Sequence, residues 1–364
     1  MKIWQIIAVV AVGVVVGVVE PGRLEYTLGQ ATLYVFLPPL LFEAAWNLNY
    51  RAIVRQWRAI ATLAGPGVLL TAAIVAGGLV VVRVPVGAAL LTGAILSATD
   101  PIAVIAIFRR LKAPKTLMTI VECESLFNDA VAVMLYRAVL TAFALGAAGS
   151  SAVGLVSLEA LGGAAGGIVL GIGLGFLMAR LLRGRADVSL QIVATVVCAY
   201  GGYFLANELS LSGIFATIAA GIALRYYERR WITLSIAADV NRFWDLLALL
   251  ANAAVFFLVG AALQIGEVAR EPVFIVAVLI AIVIARVAVA GLLLPAGYPR
   301  EWLDVVRIAG MRGALSLALA IALPTSMPYR TPIIDATFAV ALATLIAGAL
   351  TTERAVRRTV RQTP

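Results

Sequence analysis

The chain has 364 residues and a mass of 38.2 kDa; 63% of it is hydrophobic without counting glycine, 13% is charged, and the mean hydropathy is +1.03. Soluble domains hold roughly 45–50% apolar residues with glycine counted and about 25% charged ones, so this chain lacks the polar surface to cover itself in water and must be solvated by lipid. It contains no His and carries a formal charge of +9; this excludes His-built zinc sites, His-ligated haem and Ser–His–Asp hydrolysis, and in a membrane protein the positive excess speaks to orientation rather than to nucleic acid.

A helical span takes about 20 residues. Apolar runs between Pro, Gly and charge clusters predict about twelve such spans, at 3–19, 28–46, 59–82, 87–109, 117–145, 155–182, 189–207, 211–226, 240–264, 273–295, 302–325 and 333–351. The fold class is therefore an all-α polytopic membrane protein. Span one follows Lys2 as a signal peptide would, but no small-x-small cleavage site follows and Glu20-Pro21 closes it, so it is read as a span. Span two carries paired prolines and an acid in "FLPPLLFE". Glu43 there either lines an ion path or pairs with an Arg.

Span four resists a continuous helix. In Ser97-Ala98-Thr99-Asp100-Pro101, the proline removes a backbone donor and disfavours helix at Asp100. The run reads as a break, with Pro101 opening a second half-helix and Asp100 as its N-cap; a simple proline kink would leave the carboxylate unexplained. Span five, "TIVECESLFNDAVAVMLY", puts Glu122, Ser125 and Asp129 on one helix face and Glu124 and Asn128 on a neighbouring one. Stacked carboxylate and hydroxyl oxygens suit a hard monovalent cation, or one proton; the alternative is a set of structural salt bridges. Span six repeats glycine every four residues at Gly163, Gly167, Gly171 and Gly175, a stripe for close packing inside the bundle or against another subunit.

Arg286 in span ten and Arg312 in span eleven need counter-charges or helix-end carbonyls, and each reads as a structural counter-charge or as a ligand. Gly310 and Gly313 flank Arg312 and loosen its helix. A charge at the bilayer centre costs about 2.5–3.5 kcal/mol on insertion scales. Glu43, Asp100, Glu122, Glu124, Asp129, Arg286 and Arg312 must therefore pair, face water or be neutralised. Cys123 and Cys198 stand apart in apolar runs and read as small core residues. The tail "TTERAVRRTVRQTP" reads as a solvated basic end facing lipid headgroups.

Nineteen Lys and Arg residues fall on the side of the N-terminus, the even-numbered loops and the C-tail, against Arg23, Arg83, Arg270 and Arg330 on the other. That asymmetry predicts both termini in the cytoplasm. Spans one to five and eight to twelve form two halves of opposite topology, about 3–145 and 211–351, each with its fourth span interrupted. Inverted repeats with broken helices mark secondary transporters.

Three stretches carry a resemblance: "FLPPLLFEAAW" at 36–46, "GAILSATDPIAVIAIFRRL" running into "ECESLFNDAVAVMLY" at 93–136, and "GMRGALSLALAIALP" at 310–324. They resemble the monovalent cation:proton antiporters of the NhaP and sodium/hydrogen exchanger type. The resemblance implies that Asp129 binds cation and proton in turn. It implies that Thr99, Asp100 and Ser125 help form the ion site, and that Glu43 faces it from a scaffold. Asn128 takes the position of a second Asp in electrogenic relatives, which implies electroneutral one-for-one exchange. Glu124 is implied to pair with Arg286, and Arg312 matches the Arg of the second broken-helix motif. The cation ligands would then be Asp129, Thr99, Ser125 and Glu43, for Na⁺ with K⁺ or Li⁺ as alternatives, and no cofactor is implied.

The family pattern further implies a homodimer in the cytoplasmic membrane. Its moving core would be about 59–145 and 273–351, and its scaffold about 3–46 and 155–264. Typical members have thirteen spans; this chain reads as lacking the first. The rival functions are a cation channel or uniporter without proton coupling and an intramembrane aspartyl protease, whose GxGD signature is absent.

Overall fold

The computed structural model describes residues 3–19, 23–144, 150–185, 187–229, 234–262, 272–295 and 297–362, and among these all regular structure is helical. The expected span ends at 145 and at 263–264, and Lys2, Arg230 and Arg270 of the charge count, lie outside the described residues.

The helices, in order, are α1 (Ile3–Val19), α2 (Arg23–Asn47), α3 (Tyr50–Ala64), α4 (Pro66–Val81), α5 (Val86–Ser97), α6 (Ile102–Leu111), α7 (Lys115–Ala144), α8 (Ser150–Leu182), α9 (Val188–Val196), a π turn (Val197–Gly201), α10 (Gly202–Glu208), α11 (Gly213–Glu228), α12 (Leu234–Ala262), α13 (Pro272–Leu293), α14 (Arg300–Ile308), α15 (Ala314–Ile321) and α16 (Arg330–Gln362). Their ends follow from local chemistry. Pro66 occupies the first turn of α4, and Pro85, Pro101 and Pro299 immediately precede α5, α6 and α14, positions where a missing N–H costs nothing. The Asp187 carboxylate accepts the Leu190 N–H at 2.7 Å to start α9. Lys112 turns left-handed (φ 55°) to stop α6.

Seven helices among the described residues are long and apolar enough to cross a membrane alone. The expected spans 87–109 and 302–325 are not among them, because each is two short helices separated by extended backbone, α5/α6 and α14/α15. A 12-residue helix rises only about 18 Å, well short of the roughly 30 Å apolar core, so each interrupted span needs both of its halves.

The chain divides into two compact units: Met1–Ala31, Arg51–Leu140 and Val255–Pro364 form one, and Thr32–Tyr50 with Thr141–Ala254 the other. In the first unit one buried cluster joins Leu63 of α3, Val104 and Phe108 of α6, Leu117 of α7, Val289 of α13 and Val305 of α14. Val356 of α16 belongs to the same cluster. The tail therefore differs from the expected solvated end. It stays helical to Gln362 and turns Thr352, Val356 and Thr359 inward at four- and three-residue spacing. Glu353 on that helix is bonded to Arg357 at 2.7 Å and to Arg110 of α6. The hydrogen bonds from these two guanidiniums, Arg357 first, hold the Glu353 carboxyl below the usual carboxylate range.

In the second unit Phe42 and Trp46 of α2, Leu182 of α8, Cys198 of the π turn, Leu224 of α11 and Trp244 of α12 share a cluster. Its two indoles are satisfied: Trp46 Nε1 donates to Asn241 at 2.8 Å and Trp244 Nε1 to Thr195 at 3.0 Å. The glycine stripe of α8 is spent here. A Cβ on Gly167, Gly171 or Gly175 would overlap the carbonyls of Ser212, Ala216 and Ala220 on α11, so the stripe lets two backbones touch within the bundle. Both cysteines are buried and free.

Candidate functional site: two interrupted helices and a sealed carboxylate

The two breaks of the first unit are bonded to each other. After α5 the chain extends at Ala98 (φ −63°, ψ 145°), and α6 begins at Ile102. Within this stretch the Asp100 N–H donates to the Met311 carbonyl at 2.7 Å. Arg312 reciprocates: its Nε donates to the Leu96 carbonyl at 2.7 Å, its Nη1 to Gly310, and its backbone N–H to Thr344 Oγ1 of α16 at 3.1 Å. A buried guanidinium, 2% exposed, thus covers the carbonyl end of α5, where a cation offsets the negative end of the dipole.

The carboxylate of Asp100 does not take the place expected of it. Pro101 is the N-cap of α6 and no side chain caps that helix. The Asp100 carboxylate instead lies on Gly313, the residue that opens α15, so tightly that a Cβ there would overlap Oδ2. Both charges of the expected breaks therefore attend the end of the other interrupted helix: Arg312 the C-terminus of α5, Asp100 the N-terminus of α15. Ser316 Oγ reaches back toward the Ala98 carbonyl at 3.5 Å. At the far end of α15, Arg330 donates to the Leu323 and Ile321 carbonyls at 2.9 and 3.0 Å.

This contact makes a prediction. Gly313→Ala forces Asp100 off the end of α15, with overpacking of about 1–3 kcal/mol and loss of transport. Gly291→Ala on α13, where a Cβ meets nothing within 4 Å, is neutral or stabilising by up to about 1 kcal/mol. Thermal unfolding in detergent beside an uptake assay compares the two, and a Gly313→Ala protein as stable and active as Gly291→Ala contradicts the account.

Thr99, between Ala98 and Asp100, is the hub of the site. The Asp129 carboxylate accepts its backbone N–H, its carbonyl accepts from Ser125 Oγ, and its Oγ1 accepts from Asn128 Nδ2 at 3.2 Å. Three α7 residues, at i, i+3 and i+4, clamp one residue of the broken helix, because i, i+3 and i+4 project from one side of a helix. Two acceptors in this cluster, Asp129 Oδ1 and Asn128 Oδ1, are sealed from solvent and have no hydrogen-bond partner in the protein. Buried oxygen acceptors are nearly always satisfied. An unsatisfied pair on adjacent residues, one of them a carboxylate, is what a site for a small cation or a proton requires.

Glu124 points away from this cluster. Arg286 of α13 grips it with both Nη atoms, at 2.6 and 3.4 Å, and the pair is 9–10% exposed on the Arg side and 1% on the Glu side. Gly310 makes room for that Arg, since a Cβ there would overlap Nε. Glu43 belongs to the second unit, where Asn47 Nδ2 donates to its Oε1 at 2.7 Å. The sequence reading missed the exchange of end charges between the two breaks. It also missed Ser316 and Thr344. Gly313 and Ser316 stand in a quoted motif, but nothing in the chain marks Thr344.

An all-helical membrane protein with two interrupted helices bonded through their gaps, beside an unsatisfied intramembrane carboxylate, is built as a secondary transporter. The model of the transmembrane sodium/hydrogen exchanger family matches residues 1–358, and the chain belongs to that family of transporters. It is similar to the Na⁺/H⁺ antiporter ApNhaP of Aphanothece halophytica, 32% identical over 92% of this chain and 66% of the relative. It is also similar to the Na⁺/H⁺ antiporter NhaH of Halobacillus dabanensis, 32% identical over 97% of this chain and 91% of the relative. The solved structure of the sodium proton antiporter MjNhaP1 from Methanocaldococcus jannaschii has the same fold. Its TM-score is 0.84 at 21% identity, over 98% of this chain and 92% of that one.

Proposed function

We propose that the protein exchanges Na⁺ for protons across the cytoplasmic membrane, one for one, with both ions competing for Asp129. The observation that carries this reading is the sealed, unpartnered Asp129 Oδ1 beside Asn128 Oδ1 at the Thr99 hub. Ionised and empty, that carboxylate would cross an apolar barrier carrying a charge worth about 2.5–3.5 kcal/mol or more. Loaded with a cation or a proton it is neutral. The moving part therefore crosses only when loaded, and this couples the two ion flows. Two relatives named as Na⁺/H⁺ antiporters support the choice of cation, and K⁺ and Li⁺ are alternatives that the same oxygen donors accept.

Twelve crossings in two inverted halves, 3–145 and 211–351, fit the reading. The core is 59–145 with 273–351, and the scaffold 3–46 with 155–264 carries Glu43 and supplies the homodimer contact. Both termini face the cytoplasm, on the charge asymmetry. Asn128, in place of a second acid, leaves a single exchangeable charge, so transport is electroneutral.

The test is reconstitution into vesicles with an internal pH dye. Adding Na⁺ outside is expected to alkalinise the lumen at a rate unchanged by a potassium–valinomycin voltage clamp. A response that appears only when valinomycin supplies a counter-current makes the protein an electrogenic carrier; absence of any pH response to Na⁺, K⁺ or Li⁺ refutes exchange and leaves the uncoupled channel.

A further inference from the structure

Glu122 shares a face of α7 with Ser125 and Asp129, yet the exchange mechanism above gives it no task. Seven residues separate it from Asp129, about 10 Å along the helix axis toward Lys115. The three acids of this stretch are held very differently. Glu124 is locked to Arg286 and 1% exposed, and Asp129 has an oxygen sealed from solvent. Glu122 keeps 26% of its side chain exposed. Its partner, Arg109 Nη2 of α6, stands 3.9 Å away, beyond hydrogen-bonding distance, and the Arg109 side chain is itself 69% exposed. This is an open pair rather than a closed salt bridge.

The surroundings make that openness informative. This end of α6 and α7 carries Arg109, Arg110, Lys112 and Lys115, a field that repels cations. Arg110 is engaged by Glu353, but Arg109 is left facing Glu122. A Na⁺ ion approaching Asp129 along this face of α7 needs a negative centre inside the basic rim, and Glu122 supplies one, about a quarter exposed and on the same helix face as the site.

We propose that Glu122 is an attracting carboxylate for the transported cation at the α7 N-terminal mouth, and that Arg109 competes with the cation for it. The proposal rests on the antiport reading. Glu122 does not hold the ion at the exchange step. It raises the local cation concentration one stage earlier, as charged clefts do.

The test uses the full chain in vesicles of one orientation, with the Na⁺ dependence of the pH-dye signal measured from each face. Glu122→Gln is expected to raise the Na⁺ KM about five-fold from the face bearing Lys112 and Lys115. The maximal rate should stay within about twofold, with KM unmoved from the other face. Glu122→Asp restores the low KM, and Arg109→Gln lowers it further. Impermeant choline chloride raises the wild-type KM on that face but lowers the Glu122→Gln value, where only the repelling basic rim is left to screen, a change of sign that a merely structural role for Glu122 would not produce. An unchanged KM on that face, an equal shift on both faces, or a fall in maximal rate at constant KM overturns the inference. If Glu122→Gln fails to fold, the choline and Arg109→Gln measurements decide alone. Failure of the antiport reading itself shows separately, as absence of any Na⁺-driven signal in the wild-type protein.

Discussion

Asp129→Asn is expected to reduce Na⁺-driven proton movement to the level of protein-free vesicles. The amide is nearly the same size, so packing at the Thr99 hub survives: the side-chain oxygen can still accept the Thr99 N–H that the carboxylate accepts in the wild type. What disappears is the group that changes charge. A neutral amide neither releases a proton to admit Na⁺ nor gains charge when Na⁺ leaves, so the cycle has no step at which one ion displaces the other. Thermal unfolding should therefore be close to wild type while transport is lost, and that combination separates a chemical role from a structural one. Loss of fold would assign Asp129 to the scaffold of the site. Retained exchange would remove it from the transport step and transfer the role to another carboxylate.

Breaking the Glu124–Arg286 pair is expected to have the largest effect on stability. Glu124→Gln leaves the Arg286 charge in a site 9% exposed with no carboxylate, and removal of one partner of a buried pair costs about 3–5 kcal/mol. The surroundings make it worse. Arg312 lies near enough to act electrostatically on Arg286, and Glu124 is the acid whose field offsets both guanidiniums. Without it two buried cations face each other across the α14–α15 break. The double variant Glu124→Leu with Arg286→Met should recover most of the lost stability, since well-packed apolar replacements of buried pairs are often neutral. Fluorescence-detected unfolding of the single and double variants in detergent checks this. A Glu124→Gln protein within about 1 kcal/mol of wild type would mean that water, rather than Glu124, satisfies Arg286.

Much of this molecule could be read from residues alone. The membrane class follows from composition, because a chain with so few charged residues cannot be covered in water. The position of the first break follows from Pro101, whose ring removes a donor and constrains Asp100. The shared face of Ser125 and Asp129 follows from the period of the helix, and the structure finds both on Thr99 together with Asn128, which the sequence placed on a neighbouring face. The tail shows where a local reading failed. Its charges spoke for solvent, but Val356 and its neighbours at helical spacing fit a hydrophobic groove between α6 and α14 that no local window displays.

Composition and local pattern define the set of parts: a lipid-solvated helical chain, two interrupted spans, and acids and arginines at a depth where each needs a partner. Which partner each one has is set by how the helices pack. Asp100 attends Gly313 rather than its own helix, Arg312 covers α5 rather than α14, Glu124 is closed by Arg286, and Glu122 is left open to Arg109. The reason is physical. Local sequence sets which backbone groups lose their hydrogen bonds and which charges lose water, through dihedral preference and burial. The groups that compensate them come from residues up to 218 positions away. Those meet only when the two interrupted helices fold against each other.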